Sequence, residues 1–441
     1  MLGTELSLVL LFGGLLLGVF IGFPVAFAML GSGLIVGLLG GGPSFIHSLL
    51  MRTYGVMEHY ELVAIPLFVY MGVMLSRSGA AERLFSAFHV ALGGLRGGLA
   101  ITTVVICTIM AAATGIVGAS VVSMGLFALP AMLKRGYDPA LSSGAVCAGG
   151  TLGILVPPSV MLVVYGPMAG LSVGKLFMGA VFPGLLLSLL YIVYIAVRCF
   201  FRPELGPPLP QSERVLSLAQ KLRLIITSLL PTLFVILAVM GSIFFGVAAP
   251  TEAAAMGALA AILLALMYKK LDWQTLKTAT FESLKVVAMI MWTVIGAFVF
   301  TGAFMIVGGG ELVKTTLIDL AVAPNTMLLI MALAFFVLGF VMEWVGIIPI
   351  LVPIFGPVIT EIGLDPLWAA IVFCMIMQTS FLTPPMAPTL FYLKGVSPPE
   401  ISFSKHIVRG IVPFLILQLA GVALVILLPQ LALWLPVHMI K

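Results

Sequence analysis

Apolar runs about as long as a membrane-spanning helix, separated by short connections rich in polar residues, glycine or proline, fill most of the chain. A helix needs about 20 mainly apolar residues to cross a bilayer. In chain order, the runs predict spans near residues 6–22, 24–41, 63–76, 176–197, 225–245, 250–267, 286–306 and 408–435. The pattern therefore predicts an all-α polytopic membrane protein.

Three segments depart from this pattern. Ala81–Leu95 and Glu311–Leu320 are too polar to cross a membrane, and we expect them to lie along its surface as arms. Residues 198–224 form the longest interruption of the apolar sequence and contain four prolines and several basic residues. We interpret them as a cytoplasmic linker between a first repeat, residues 1–197, and a second repeat, residues 225–441.

Adjacent prolines interrupt one apolar segment in each half. Pro157–Pro158 and Pro384–Pro385 are 384 − 157 = 227 residues apart. Because proline lacks an amide N–H and clashes with the preceding turn, each pair predicts a helix that opens within the membrane, near residues 140–168 and 367–393. Paired interruptions in two halves are typical of the binding site of a secondary transporter.

Other landmarks recur between the halves in the same order. The pairs are Pro24 with Pro250 and Gly31 with Gly257 at 226 residues, Asp138 with Asp365 and Tyr165 with Tyr392 at 227, and Gly72 with Gly302 at 230. Loops at equivalent positions of the two halves differ in charge. The basic pair Lys134-Arg135 of the first half aligns with Glu361-Ile362 of the second, and the basic pair Lys269-Lys270 of the second half aligns with Pro43-Ser44 of the first. Under the positive-inside bias this difference predicts two inverted repeats, with the N terminus outside.

The segment from Leu99 to Leu133 is apolar and is flanked by Arg96 and Lys134, which both read as cytoplasmic. A segment that begins and ends on one side of the membrane must enter and return. We therefore predict a re-entrant helical hairpin near residues 99–133 and, by the repeat, a second one near residues 325–357.

Composition excludes several classes of protein. Hydrophobic residues make up 62% of the 441 residues, charged residues 8%, and the mean hydropathy is +1.26, so no soluble domain is expected. The net charge of +5 comes from cations in loops, where they orient a membrane protein, and nucleic acid is not an expected partner. Cys107, Cys147, Cys199 and Cys374 lack metal-site spacing and are expected to be free thiols.

The two predicted hairpin tips carry the candidate chemistry. Ala111–Ser120 is rich in small residues and hydroxyls, and its counterpart Gly339–Gly346 contains Glu343, the one acid deep in a hairpin sequence. Carbonyl and hydroxyl oxygens gathered at helix breaks suit Na⁺, while half-helix N termini favour an anionic group of a substrate. Glu343 is a functional candidate because intramembrane carboxylates are rare, although it could instead pair with a basic group or reach the membrane surface.

Other residues have structural readings. Asp138 and Asp365 stand where helix caps are expected, and Glu252 could cap its helix or serve function. Tyr165 and Tyr392 are expected as anchors at the membrane interface rather than as ligands.

Gly149–Ser159, Pro250–Ala255, Ala64–Phe68 and Thr383–Pro385 together resemble the large membrane subunit, DctM type, of the tripartite ATP-independent periplasmic (TRAP) transporters. The resemblance covers essentially the whole chain. It implies a multi-pass protein of the bacterial inner membrane, in the ion-transporter superfamily, that works as an elevator with a scaffold and a moving transport domain. It also implies Na⁺ as the coupling ion without a covalent cofactor, a four-helix DctQ-type subunit, and a periplasmic DctP-type binding protein that delivers a carboxylate.

The same resemblance implies particular site residues. One Na⁺ site would use Thr114, Gly115, Ser120, Gly150, Gly153 and Pro157, and a second would use Gly339, Glu343, Thr379 and Thr383. The candidate substrate-binding residues are Pro158, Ser159, Pro385 and Met386. The chain departs from the family at the first tip, where the family usually has a Ser-Gly-Ser-like run, and at Glu343, where Asp is common.

Two other functions remain open from the sequence. A stand-alone Na⁺/anion carrier of the same superfamily would transport without partner proteins. An intramembrane enzyme has weaker support, because no His-Glu-x-x-His motif occurs and Gly118-Ala-Ser120 has no evident intramembrane histidine to act as a base.

Overall fold

The computed structural model describes residues 3–210, 217–320 and 322–439, and within them the secondary structure is entirely helical. The first half contains α1 (Thr4–Ile21), α2 (Val25–Gly41), α3 (Ser44–Glu58), α4 (Ala64–Arg77), α5 (Ala80–Leu92), α6 (Gly98–Thr114), α7 (Val117–Lys134), α8 (Pro139–Thr151), α9 (Val160–Ala169) and α10 (Val173–Phe201). The second half contains α11 (Leu218–Phe244), α12 (Pro250–Met267), α13 (Trp273–Ile306), α14 (Gly309–Asp319), α15 (Pro324–Leu338), α16 (Trp344–Glu361), α17 (Pro366–Ser380), α18 (Pro388–Val396), α19 (Arg409–Leu427) and α20 (Gln430–Val437).

Nine helices in the described parts of the chain are long and apolar enough to cross a membrane, and five shorter helices are apolar as well. The prediction of an all-α polytopic protein is therefore confirmed. Helix bounds differ from the predicted spans in the second half, where 286–306 is the end of the 34-residue α13 and 408–435 is divided between α19 and α20. The prediction missed α3 altogether.

Both predicted interruptions are present. After α8 the chain forms one 3-10 turn, Leu152–Ile154, and stays non-helical until α9 begins at Val160. We call residues 152–159 the first break. The second break, residues 381–387, separates α17 from α18. Both diproline peptide bonds are cis. Because the prolines cannot donate to the preceding turn, neither helix continues through its pair.

Two helical hairpins accompany the breaks. Only Gly115–Ile116, the first tip, separates α6 from α7, and Gly115 takes the left-handed conformation (φ +62°) that suits glycine. Gly339–Glu343, the second tip, separates α15 from α16. The hairpins and discontinuous helices belong to the predicted fold class and are confirmed.

The halves repeat the same element order and pack against each other crosswise. Helix α2 lies on α13 and α12 on α4, while α7 contacts α18 and α16 contacts α9. Each hairpin therefore touches the second segment of the other half's broken helix. Residues of both tips and both breaks thereby come together around one cavity.

The linker is partly structured at its start. Helix α10 extends to Phe201, and the Gly206 carbonyl accepts a 2.8 Å hydrogen bond from the Gly97 amide between α5 and α6. Residues 211–216 of the predicted linker lie outside the described residues. The division of the chain at residues 197 and 225, and the placement of α5 and α14 along the membrane surface, stay predictions.

Candidate functional site

In the first half, the hairpin tip lies directly against the break. A Cβ added to Gly115 would stand 3.0 Å from the Pro158 carbonyl oxygen, and one added to Gly153 would stand 3.5 Å from the Ile116 carbonyl carbon. A Cβ at Gly115 would be closer than nearly all real Cβ contacts, whereas one at Gly153 would make an ordinary van der Waals contact, so Gly115 is the position at which the close approach requires glycine. The approach places carbonyl oxygens of the break beside the tip.

Two buried hydroxyls flank this contact. Thr114 Oγ1 and Ser120 Oγ lie 3.5 Å apart, and both side chains are buried. Gly150 lets α8 approach α7, because a Cβ there would be only 2.3 Å from Val121 Cγ2. Together with Pro157 in the break, the first set of candidate residues is thus brought to one place.

The second half repeats the arrangement with an added carboxyl group. A Cβ on Gly339 would lie 2.7 Å from Ser380 Cβ, so this tip meets the end of α17, directly before the second break. Thr379 and Thr383 are buried, and their hydroxyls donate to the carbonyls of Ile376 and Thr379 at 2.6 and 2.7 Å. Each hydroxyl oxygen keeps lone pairs with which it could accept another bond or coordinate a cation.

Glu343 is the N-cap residue of α16, but its side chain makes no capping hydrogen bond. Among the described residues the carboxylate also has no ion-pair partner, so the reading in which Glu343 pairs with a basic group is wrong for these residues. The side chain is half-buried and borders two cavities. An unpaired carboxylate in this position is available to a cation or to a substrate.

A cavity of about 140 Å³, the central cavity, lies between the two tips. Its wall includes the first tip with the start of α7, residues 115–118, and the end of the second tip with the start of α16, residues 343–345, together with Val160, Phe381 and Tyr392. Helices α7, α9 and α16 all begin at this wall. Glu343 is its one charged residue among the described residues that line it.

The second cavity, of about 330 Å³, shares Glu343 and Val345 with the central cavity and extends to Met386 and to the start of α2 at Pro24–Phe27. Met386 is therefore the one candidate substrate residue that borders either of these two cavities. Pro385 is exposed beside it.

Ser159 and Pro158 are buried in the first break. The Ser159 hydroxyl donates to the Ile154 carbonyl, which the opened helix leaves without its usual partner. Thr389, which sequence reasoning missed, donates in the same way to the Phe381 carbonyl across the second break. A hydroxyl shortly after each diproline pair was the available signal.

Of the two tyrosines, only Tyr165 is buried away from the surface; Tyr392 is 40% exposed. Tyr165 is 2% exposed, so the expectation of an interface anchor is wrong for it. Tyr392 lines the central cavity, with its ring 3.4 Å from where a Cβ on Gly118 would be. Crosswise packing of α7 on α18 brings it there, and that packing is not visible in local sequence.

The structural readings of the acids and cysteines are confirmed. Asp138 accepts from the Leu141 amide and Asp365 from the amides of Leu367 and Trp368, so both cap their helices. Glu252 reaches back to the Ala249 amide at 2.8 Å. The four cysteines are free and buried, and the described residues contain no cluster of three or more His, Cys, Asp or Glu.

Comparison with known proteins identifies the family to which this architecture belongs. Residues 8–431 match the family model described as the DctM component of the tripartite ATP-independent periplasmic transporter. The chain belongs to the DctM family. It is therefore a TRAP transporter large permease, a multi-pass membrane protein and not an enzyme.

Relatives of this DctM-family chain carry several substrate names. The C4-dicarboxylate TRAP transporter large permease DctM of Pseudomonas aeruginosa is 33% identical over 89% of the chain and 90% of its own length. The DctM of Vibrio cholerae is 28% identical over 99% and 98%, and the ectoine permease TeaC of Halomonas elongata 27% identical over 98% of each. The crystal structure of the YdaH transporter of Alcanivorax borkumensis shares the fold, with a TM-score of 0.61 at 14% identity, over 93% of this chain and 96% of that one.

Proposed function

We propose that the chain is the large subunit of a Na⁺-coupled TRAP transporter of the bacterial inner membrane. It imports a carboxylate that a DctP-type periplasmic protein delivers, and it works together with a DctQ-type membrane subunit. The observation that carries the proposal is the central cavity, where three helices begin beside one unpaired carboxylate.

The start of a helix favours negative charge, because its first amides lack partners within the helix and the backbone dipoles align behind them. Val117, Val160 and Trp344 are the first residues of α7, α9 and α16, and all three border the central cavity. No Lys, Arg or His contributes to the described lining. A carboxylate of the cargo would thus be held by backbone amides rather than by a basic side chain.

Cation binding would use the oxygens around the tips. In the first half these are the hydroxyls of Thr114 and Ser120, which lie 3.5 Å apart, and the Pro158 carbonyl, which lies against Gly115. In the second half they are Glu343, Thr379 and Thr383. Oxygen donors with few fixed charges suit Na⁺, and a cation near Glu343 would offset a carboxylate that otherwise repels an anionic cargo.

The packing suits an elevator in which the hairpins and broken helices move against α2, α4, α12 and α13. The two groups pack on each other along several helix pairs, and two of these contacts are narrow. Gly72 of α4 leaves so little room that a Cβ would be 2.1 Å from the Thr114 carbonyl oxygen. Thr301 of α13 donates a 2.9 Å hydrogen bond to the Pro349 carbonyl of α16. Both contacts can be broken without exposing a charge.

Uptake by the complex reconstituted in proteoliposomes tests the proposal. The chain, its small subunit and its binding protein would be assayed with a labelled C4-dicarboxylate and, separately, with ectoine, under an inward Na⁺ or K⁺ gradient. We expect uptake with at least one cargo, only with Na⁺ and only with all three proteins. Uptake by the chain alone would instead identify a stand-alone carrier, and equal uptake in K⁺ would refute Na⁺ coupling.

Site variants separate binding from folding in the same assay. Thr114→Ala, Glu343→Gln and Thr383→Ala are expected to weaken Na⁺-dependent uptake while membrane expression is retained. Thr103→Ala is a matched control, because that buried hydroxyl bonds the Leu99 carbonyl of its own helix and borders neither cavity. Wild-type uptake in all three site variants would remove the site assignment while leaving the transporter assignment in place.

A further inference from the structure

Two residues that are equivalent in the repeats touch each other. Gln378 Nε2 donates a 3.1 Å hydrogen bond to Thr151 Oγ1, and the residues are 227 positions apart, the same offset as the diproline pairs. A residue can contact its own symmetry equivalent only at the axis that relates the two halves. This hydrogen bond therefore marks the pseudo-two-fold axis, and both side chains are fully buried there.

Tyr191 and Gln418 bring further polar groups to this place. The Tyr191 hydroxyl lies beside Thr151 but does not meet hydrogen-bond geometry. Helix α19 runs along α10, with the Phe414 ring 5.4 Å from the Tyr191 ring and Gly421 against Leu187. Gln418 lies on the same face of α19, one turn after Phe414, and so faces α10 next to Tyr191.

The same helix places Gln418 level with Thr151. Gly410 packs on Ala140, and Gly144 packs on both Gly410 and Phe414, so α8 and α19 run parallel. Two turns beyond Gly144, α8 reaches Thr151, where α19 has advanced to the turn of Gln418. We call Thr151, Tyr191, Gln378 and Gln418 the axial polar cluster.

Four polar atoms of the axial polar cluster are buried without a hydrogen bond. They are the Tyr191 hydroxyl, Gln378 Oε1, and both Oε1 and Nε2 of Gln418. Rotating the amides does not remove the deficit, because both ends of Gln418 are unpaired and rotating Gln378 only exchanges an unpaired oxygen for an unpaired nitrogen. Buried polar groups in proteins are almost always paired, with protein atoms or with ordered water.

We propose that the axial polar cluster binds ordered water within the membrane-embedded core. The unpaired set includes an amide N–H₂ and a hydroxyl donor as well as acceptors, and it contains no carboxylate. A bound cation would leave the amide donor unpaired and its own charge uncompensated, whereas water both donates and accepts. Water is therefore the ligand that satisfies all four atoms.

The position of this water gives it a structural role. Thr151 is the last residue of α8 and Gln378 lies in the last turn of α17, next to Gly150 and Thr379 respectively. Bridging water would fix these ends relative to each other and to α10 and α19. The inference does not depend on the cargo or on Na⁺ coupling.

A density map of the purified chain at a resolution that shows ordered water is the direct test. Water density is expected within hydrogen-bond distance of the Gln418 amide and of the Tyr191 hydroxyl. Direct pairing of the Gln418 amide with protein atoms, without such density, would overturn the proposal.

Thermal unfolding in detergent provides an independent test because the two possibilities differ in sign. If water satisfies the amide, Gln418→Leu and Gln418→Met remove a water partner and lower the unfolding midpoint. If the amide is buried dry, both variants remove an unpaired group and raise the midpoint. Leu419→Met, a neighbouring exposed position, is the matched control and should leave it unchanged.

Combining variants tests whether Tyr191 shares the site. Tyr191→Phe alone should lower the unfolding midpoint, and in the Gln418→Leu background it should lower it by less, because the shared water is already lost. Additive effects would show that Tyr191 and Gln418 bind no common water. Tyr191→Phe removes one oxygen and keeps the ring, so it remains informative if the Gln418 variants fail to fold.

Discussion

Replacing Gly72 with alanine should push the first hairpin tip away from α4. The added Cβ would lie 2.1 Å from the Thr114 carbonyl oxygen, whereas real Cβ atoms stay beyond 3.0 Å, so the two elements must separate by at least 3.0 − 2.1 = 0.9 Å. The three atoms nearest to the added Cβ are all backbone atoms of Thr114, so no side-chain rotation can relieve the clash. Overpacking of this kind costs about 1–3 kcal/mol.

If the tip moves past α4 during transport, this cost falls only on conformations that keep the contact. Gly72→Ala would then shift the population away from the present conformation by about 5- to 150-fold. Pulsed electron spin resonance can measure the shift, with spin labels at Val247 beside α12 and at Glu400 after α18, both exposed. The four native cysteines are buried and should not react with the label.

Gly31→Ala is the matched control, since a Cβ on Gly31 of α2 would meet nothing within 4 Å. It should leave the distance distribution unchanged. The contradicting result is a Gly72→Ala variant that has lower thermal stability but the same distance distribution as the wild type. The tip and α4 would then belong to one rigid unit.

Three further outcomes are expected. Glu343→Gln should abolish stabilisation of the chain by Na⁺ in thermal unfolding, whereas Glu343→Asp should retain part of it; equal Na⁺ response in the Gln variant would exclude a cation at this carboxylate. Thr301→Val should cost about 0.5–1.5 kcal/mol by removing the bond to the Pro349 carbonyl, measured by denaturant unfolding; no loss relative to Thr293→Val would show that the bond contributes nothing. Asp365→Ala should cost about 0.5–2 kcal/mol and Asp365→Asn much less, since Asn also caps helices; equal losses would point to charge rather than capping.

Local backbone chemistry explains why the breaks and hairpins could be predicted. Proline lacks the N–H that a helix requires, so the pairs at 157–158 and 384–385 interrupt their helices in any packing. Charge at the loops, together with the repeat offset, then located the hairpins. These signals depend on neighbours in sequence and not on tertiary contacts.

Features that depend on packing between the halves were not predictable. The second half has one continuous α13, but the equivalent stretch of the first half is divided into α3, a 3-10 turn at Tyr60–Val63 and α4. Residues of α3 are more polar than a membrane span, which concealed the helix. The central cavity arises only from crosswise packing of α7 on α18 and α16 on α9, so the place of Tyr392 could not be read from its own segment.

Gln418 was overlooked although a signal was present. It is the one amide side chain within the apolar run of α19, and polar residues in membrane helices usually have a partner or a function. Its relation to Tyr191 and Thr151 required the fold. The repeat offset alone could have paired Thr151 with Gln378, but not shown that they touch.

Whether the two tips and breaks form cation sites can be tested without cargo or partner proteins. The measurement is thermal unfolding of the purified chain in Na⁺ and in K⁺ at equal ionic strength. We expect a higher unfolding midpoint in Na⁺, with the difference reduced in Thr114→Ala and in Glu343→Gln and lost when both are combined. Identical midpoints in the two salts for the wild-type chain would contradict a Na⁺ site in either half.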